Sequence, residues 1–164
     1  MEYRGCVSLL STMDAPGTWH SQGGQDRMIS SIFEGQRDGY FVDLAAAAPI
    51  VLSNSRALER DYGWRGLCIE GNDRLTTALR NQRNCTVINT LISSKAANVT
   101  YTRLNVGKQG YSRITSTQAD ASGANVHETL PLDVVLRANN APAQMDYLSL
   151  DVEYHELAVR TRCT

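Results

Sequence analysis

Apolar residues change their spacing several times along this chain, and each change marks an element. Met28, Ile29, Ile32 and Phe33 recur at helical spacing within Gln25–Glu34, which predicts a short amphipathic helix. Tyr40–Leu44 is a compact apolar run of strand type. Ser53 or Ser55 can cap a helix running through Arg56, Ala57, Leu58 and Glu59, and Gly63 is a suitable stop. Leu67–Ile69 forms a second apolar run that ends at Glu70. Leu75 and Leu79 lie one turn apart in Arg74–Arg83, which predicts another helix. Thr86–Ile92 and Val99–Leu104 predict two more strands, the second at a sheet edge. Leu130–Ala138 reads as a short helix, Asp146–Asp151 as a strand and Glu153–Arg160 as the start of a helix. The polar stretch Gly107–Asn125, rich in Gly, Ser, Thr and Ala, predicts a long loop of a kind that often carries function.

Strands alternating with helices in this way imply an α/β domain with a mainly parallel sheet. Asp43 and Glu70 lie 27 residues apart, one at the tip of each of the first two strands. A right-handed crossover brings both acids to the carboxyl ends of neighbouring parallel strands. Doubly wound sheets bind nucleotide-like ligands there, and an acid after the second strand suits a ribose diol. A pyrophosphate cradle needs glycines that let backbone amides approach, but this loop reads Ala45-Ala46-Ala47-Ala48-Pro49. That disfavours a dinucleotide and a nucleotide-dependent oxidoreductase. It leaves room for a smaller adenosyl ligand without phosphates.

Composition narrows the partners. The 164 residues suit one domain, with Met1–His20 as a loose arm and 21–164 as the folded part. At 42% hydrophobic, 20% charged and net charge −1, the chain offers no basic face for nucleic acid. No apolar run nears the roughly 20 residues that span a bilayer. The patch in MEYRGCVSLLST is too short for a signal-peptide core, which leaves the cytoplasm as the default location. Cys6, Cys68, Cys85 and Cys163 are scattered with no CxxC, which argues against zinc, and Cys68 reads as a buried small hydrophobe. Asn84-Cys85-Thr86 and Asn98-Val99-Thr100 are glycosylation sequons, meaningful only in a secretory compartment. His20 and His127 read as solvated loop residues, and Trp64 as packing beneath the second strand.

Four segments in order resemble the FkbM family of S-adenosylmethionine-dependent methyltransferases, over about Ser21–Val159. SQGGQD at Ser21–Asp26 is similar to a motif near the start of the family domain. FVDLAAAAPIVLSNS at Phe41–Ser55 resembles a segment of the form Phe-Val-Asp-(Ile/Leu)-Gly-Ala-Asn-Asp-Gly followed by Ser-Asn-Thr. GWRGLCIEGN at Gly63–Asn72 and DYLSLDVEYHEL at Asp146–Leu157 resemble two further family segments. Three departures stand out. Ala45 replaces the first loop glycine, at little cost if its φ is negative, and Ala47, Ala48 and Pro49 replace Asn-Asp-Gly. Gly71 and Tyr154 replace a proline and a glycine. The family sheet continues beyond the Asp146–Asp151 strand, so the resemblance implies a Rossmann-like class I methyltransferase fold without its last strands. Such a sheet would expose Leu148, Leu150, Leu157 and Val159 beside a bare edge, and self-association through that edge is expected.

The resemblance assigns roles residue by residue, each beside a plainer structural one. Asp43 would hold loop amides or the ligand's amino group, or else cap the turn. Glu70 would accept both ribose hydroxyls, or sit as an acid ahead of the helix. Ala45 would border the ligand, Asn72 would touch the adenine or cap the next helix, and Ser53 and Asn54 would line the amino-acid end or cap theirs. Asp151, Glu153 and His155 are the candidates for taking a proton from an acceptor hydroxyl. Against that, Glu153 and His155 could be first-turn residues of an exposed helix. The implied activity is O-methylation of a hydroxyl on a sugar or other small molecule, with S-adenosylmethionine as cofactor and no metal. The alternative is a degenerate or truncated module without catalysis.

Overall fold

The computed structural model describes residues 18–104, 111–116, 126–152 and 159. In chain order its elements are α1 (Gln25–Ile32), β1 (Tyr40–Leu44), α2 (Arg56–Tyr62), β2 (Arg65–Glu70), α3 (Asp73–Gln82) and β3 (Thr86–Asn89). There follow β4 (Leu91–Ile92), β5 (Ala97–Leu104), β6 (Tyr111–Ser116), β7 (Val126–Leu130), α4 (Leu132–Ala138) and β8 (Tyr147–Leu150). Two four-stranded sheets result, ordered β3-β2-β1-β8 and β4-β7-β5-β6. Every pairing in the first is parallel. The chain is therefore an α/β protein whose parallel sheet is compatible with a Rossmann-like fold.

β1 and β2 read as continuous apolar runs because both faces of this sheet are covered. Phe41 and Cys68 face a cluster with Ile29, Leu58, Trp64 and Leu79, from the side of α1, α2 and α3. Val42, Leu44, Leu67 and Ile69 face the other way, onto Ile92, Leu132, Val135 and Val159. Trp64 is buried as expected, donates its indole N–H to the Gln36 carbonyl at 2.8 Å and meets Phe33 edge to face. Gly66 leaves room for its paired strand. A Cβ there would collide with the Phe41 carbonyl and ring.

Several expectations need correction. Thr86–Ile92 is not one strand: it breaks at Thr90, where the chain leaves β2 to pair with β7 in the second sheet. β5 is not an edge strand, because β7 pairs with its first half and β6 with its second. The stretch 107–125 contains β6 rather than forming an uninterrupted loop, and β7 was not foreseen. His127 lies in β7, not in a loop. The second sheet is mixed: β5 pairs antiparallel with both β6 and β7, whereas β4 and β7 pair parallel. On α1, Ile29 is buried and Phe33 packs on the core, but Met28 and Ile32 are exposed.

Cys68 is buried but is not a free thiol: it is disulfide-bonded to Cys85, with Cα atoms 6.0 Å apart. The bond closes a 17-residue segment containing α3, a constraint worth about 3 kcal/mol in the chain-entropy picture. β8 is an edge strand among the described residues, and Leu148 is exposed on it. The expected bare apolar face is only partly present, because Val159 is buried and Leu150 packs against the core. Leu157 and the Glu153–Arg160 helix (apart from Val159) lie outside the described residues, as do Cys6, Cys163 and residues 1–17 of the arm. The end of that arm is tied down: the Arg60 guanidinium reaches the Thr18 carbonyl, and the His20 amide donates to Asp26. No described helix is long and apolar enough to cross a membrane.

Candidate functional site

Register decides which residues meet at the tips of the parallel strands. Leu44 pairs with Ile69 on one side and Leu150 on the other. Glu70 and Asp151 follow those partners, so they flank the loop that begins at Ala45. Alternation puts Asp43 and Glu70 on the same sheet face, toward α2 and α3. Both carboxyls are buried.

Glu70 reaches back under the loop. Its Oε2 accepts the Ala47 amide at 3.0 Å and its Oε1 accepts the Asn72 amide at 2.8 Å. Burial pushes its carboxyl above the ordinary range, while those amides pull it back and the Asp43 charge adds to the rise. Asn72 caps α3, its Oδ1 accepting the Arg74 amide at 3.1 Å, which is the plainer of its two expected roles. The loop itself holds Ala45 at φ 55 and Ala47 at φ 52. The low cost expected for Ala45 required a negative φ, so that expectation fails: each alanine occupies a left-handed conformation disfavoured by about 1–2 kcal/mol. Ala45→Gly is expected to stabilise the fold by about 0.5–1 kcal/mol, because relief of strain exceeds the added chain entropy of the unfolded state. A urea midpoint that rises at constant slope would show it; a fall would mean that the backbone there is relaxed.

Asp43 is held by hydroxyls. The Ser55 Oγ donates to its Oδ2 at 2.5 Å, and Ser149 hydrogen-bonds it from β8. Ser149 Oγ also accepts from Asn54 Nδ2 at 3.0 Å. The Ser55 side chain is thus turned away from capping α2, and Ser53 Oγ accepts the Arg56 amide instead, at 3.2 Å. Burial is the main cause raising the Asp43 carboxyl; Ser55, Arg83 and Ser149 oppose it, and Asp151 adds to it. A carboxyl raised in the folded state contributes stability below its unfolded pKa and loses it as pH rises through the folded value. The stability of the wild type relative to Asp43→Asn should therefore fall as pH rises above about 4. Paired denaturation curves across that range test the sign, and a rising difference would contradict it.

Residues absent from the sequence-derived site hold these groups in place. Arg83, fully buried, donates from Nε to Glu59 Oε2 at 3.0 Å, and from Nη1 and Nη2 to Ser53 and Ser55 hydroxyls at 3.0 Å each. Glu59 also accepts from Arg56 Nη1 and from the amides of Asn84 and Cys85. Asp26, buried in the SQGGQD segment, accepts from the amides of His20, Ser21 and Arg27 and from the Ser21 hydroxyl. His20 is half-buried beside Arg60, and burial followed by that guanidinium lowers its pKa, so it is not simply solvated. Asp151 is exposed at the tip of β8. Glu153 and His155 lie outside the described residues.

The structure thus brings Asp43, Ala45, Ser53, Asn54, Glu70, Asn72 and Asp151 to one end of the parallel sheet. No group of three His, Cys, Asp or Glu suited to a metal occurs among the described residues. Compared with known proteins, the chain matches no family model, no curated protein and no solved structure.

Proposed function

We propose that the chain is a methyltransferase of FkbM type, with S-adenosylmethionine at the tips of β1 and β2 and O-methylation of a sugar or small-molecule hydroxyl as its reaction. The observation carrying this reading is the pair of buried carboxyls, Asp43 and Glu70, on one face at the carboxyl ends of adjacent parallel strands. The residues suit an adenosyl group. The Glu70 carboxylate has about four acceptor sites, of which the Ala47, Asn72 and Gly71 amides use three, leaving capacity for a ribose hydroxyl. Asn54 and Ser149 place an amide and a hydroxyl next to Asp43. The bound cofactor would supply an electrophilic methyl group. The chain would orient the acceptor against it, and Asp151 would take the proton released from the hydroxyl.

Incubation with isotope-labelled S-adenosylmethionine and a panel of sugars and small hydroxylated acceptors tests this reading. Label in an acceptor, lost in Asp151→Asn, supports it. A specific observation favours a second reading, a non-catalytic module: the loop carries two strained alanines, and Glu70 already bonds three amides. No detectable binding of the cofactor at millimolar concentration, and no transfer to any acceptor, is the outcome that module predicts.

A further inference from the structure

The cysteine pair and the two sequons, unconnected in the sequence, converge in the structure. Disulfides form and persist in oxidising compartments and are rare in the cytosol. The Cys68–Cys85 bond is sealed in the core between β2 and the segment entering β3. Cys85 is also the middle residue of Asn84-Cys85-Thr86. Its side chain points inward, whereas Asn84 and Thr86 are exposed on either side. Asn98-Val99-Thr100 repeats the arrangement in β5, with Val99 buried and Asn98 exposed. In both tripeptides the acceptor asparagine faces solvent and the middle residue anchors the backbone. Neither asparagine is among the residues at the tips of β1, β2 and β8, so a bulky glycan at either position spares the core.

We propose that the chain matures in an oxidising, glycosylating compartment and carries N-linked oligosaccharides at Asn84 and Asn98. In that step the Asn Nδ2 bonds to the anomeric carbon of a lipid pyrophosphate-linked oligosaccharide. The bond from that carbon to the pyrophosphate oxygen breaks, the lipid pyrophosphate leaves, and the amide gives up one proton. This inference is independent of methyl transfer.

The test uses the full chain purified from the cells that make it. Enzymatic removal of N-glycans in heavy-oxygen water, followed by peptide mass spectrometry, should find labelled aspartate at positions 84 and 98. Asn84→Gln and Asn98→Gln should each remove one step of gel mobility, and a non-reducing digest should yield the Cys68 and Cys85 peptides joined. Label at either position supports the proposal. Unmodified asparagine at both positions overturns it, whatever the state of the cysteines.

Discussion

Replacing Arg83 by methionine is expected to lower the stability of the fold by about 3–5 kcal/mol, because it takes the buried cation from the Glu59 carboxylate and leaves only the more exposed Arg56 beside it. The Arg83 side chain is wholly buried, and Glu59, its partner, is only slightly less so. The guanidinium also bonds the Ser53 and Ser55 hydroxyls and lies 5.9 Å from the Phe41 ring centroid, so its loss frees several groups at once. Glu59→Gln in the same background should recover part of the loss, since it removes the buried charge and its amide oxygen can still accept one of the Asn84 and Cys85 amides, which bond different oxygens of Glu59. Urea unfolding of the two single variants and the double variant gives the coupling energy. A loss below about 1 kcal/mol for Arg83→Met would show that the pair is solvated and contributes like a surface bridge.

Gly66→Ala is the second large effect. Overpacked cores lose about 1–3 kcal/mol, and more where the obstacle cannot move. Here the new Cβ meets a backbone carbonyl of the paired strand as well as the Phe41 ring, so a rotamer change cannot relieve the contact. We expect a loss at or above the top of that range, seen as a fall in urea midpoint or as failure to fold. A variant as stable as the wild type would mean that β1 and β2 are spaced further apart.

The first half of the fold was legible because its signals are local. The apolar runs of β1 and β2, the glycine after α2 and the spacing of Leu75 and Leu79 each specify an element without reference to distant residues. The second sheet was not legible for the opposite reason. Val126–Leu130 reads VHETL, with too little alternation to mark a strand, and it is held by pairing with β4 and β5. The break at Thr90 likewise reflects a change of partner rather than any helix- or sheet-breaking residue.

The site shows the same division. Asp43 and Glu70 could be found from their place at strand ends, and Ser149 was within reach in the DYLSLD segment. Arg83 and Glu59 could not, since at the ends and faces of amphipathic helices such residues are ordinarily solvated. Their burial follows from α2 and α3 packing on one face of the sheet. The disulfide was also beyond reach, because four cysteines allow three pairings and spacing alone does not choose among them. The left-handed alanines were invisible too, since φ at Ala45 and Ala47 is set by the loop's return to Glu70.

Calorimetric titration with S-adenosylhomocysteine tests the central claim, that the acids at the tips of β1 and β2 form an adenosyl site. Folded wild-type protein should bind in the micromolar range. Glu70→Gln should bind more weakly and Glu70→Ala not detectably, with unfolding curves confirming that each variant is folded. No heat of binding from folded wild-type protein at millimolar ligand would contradict the claim.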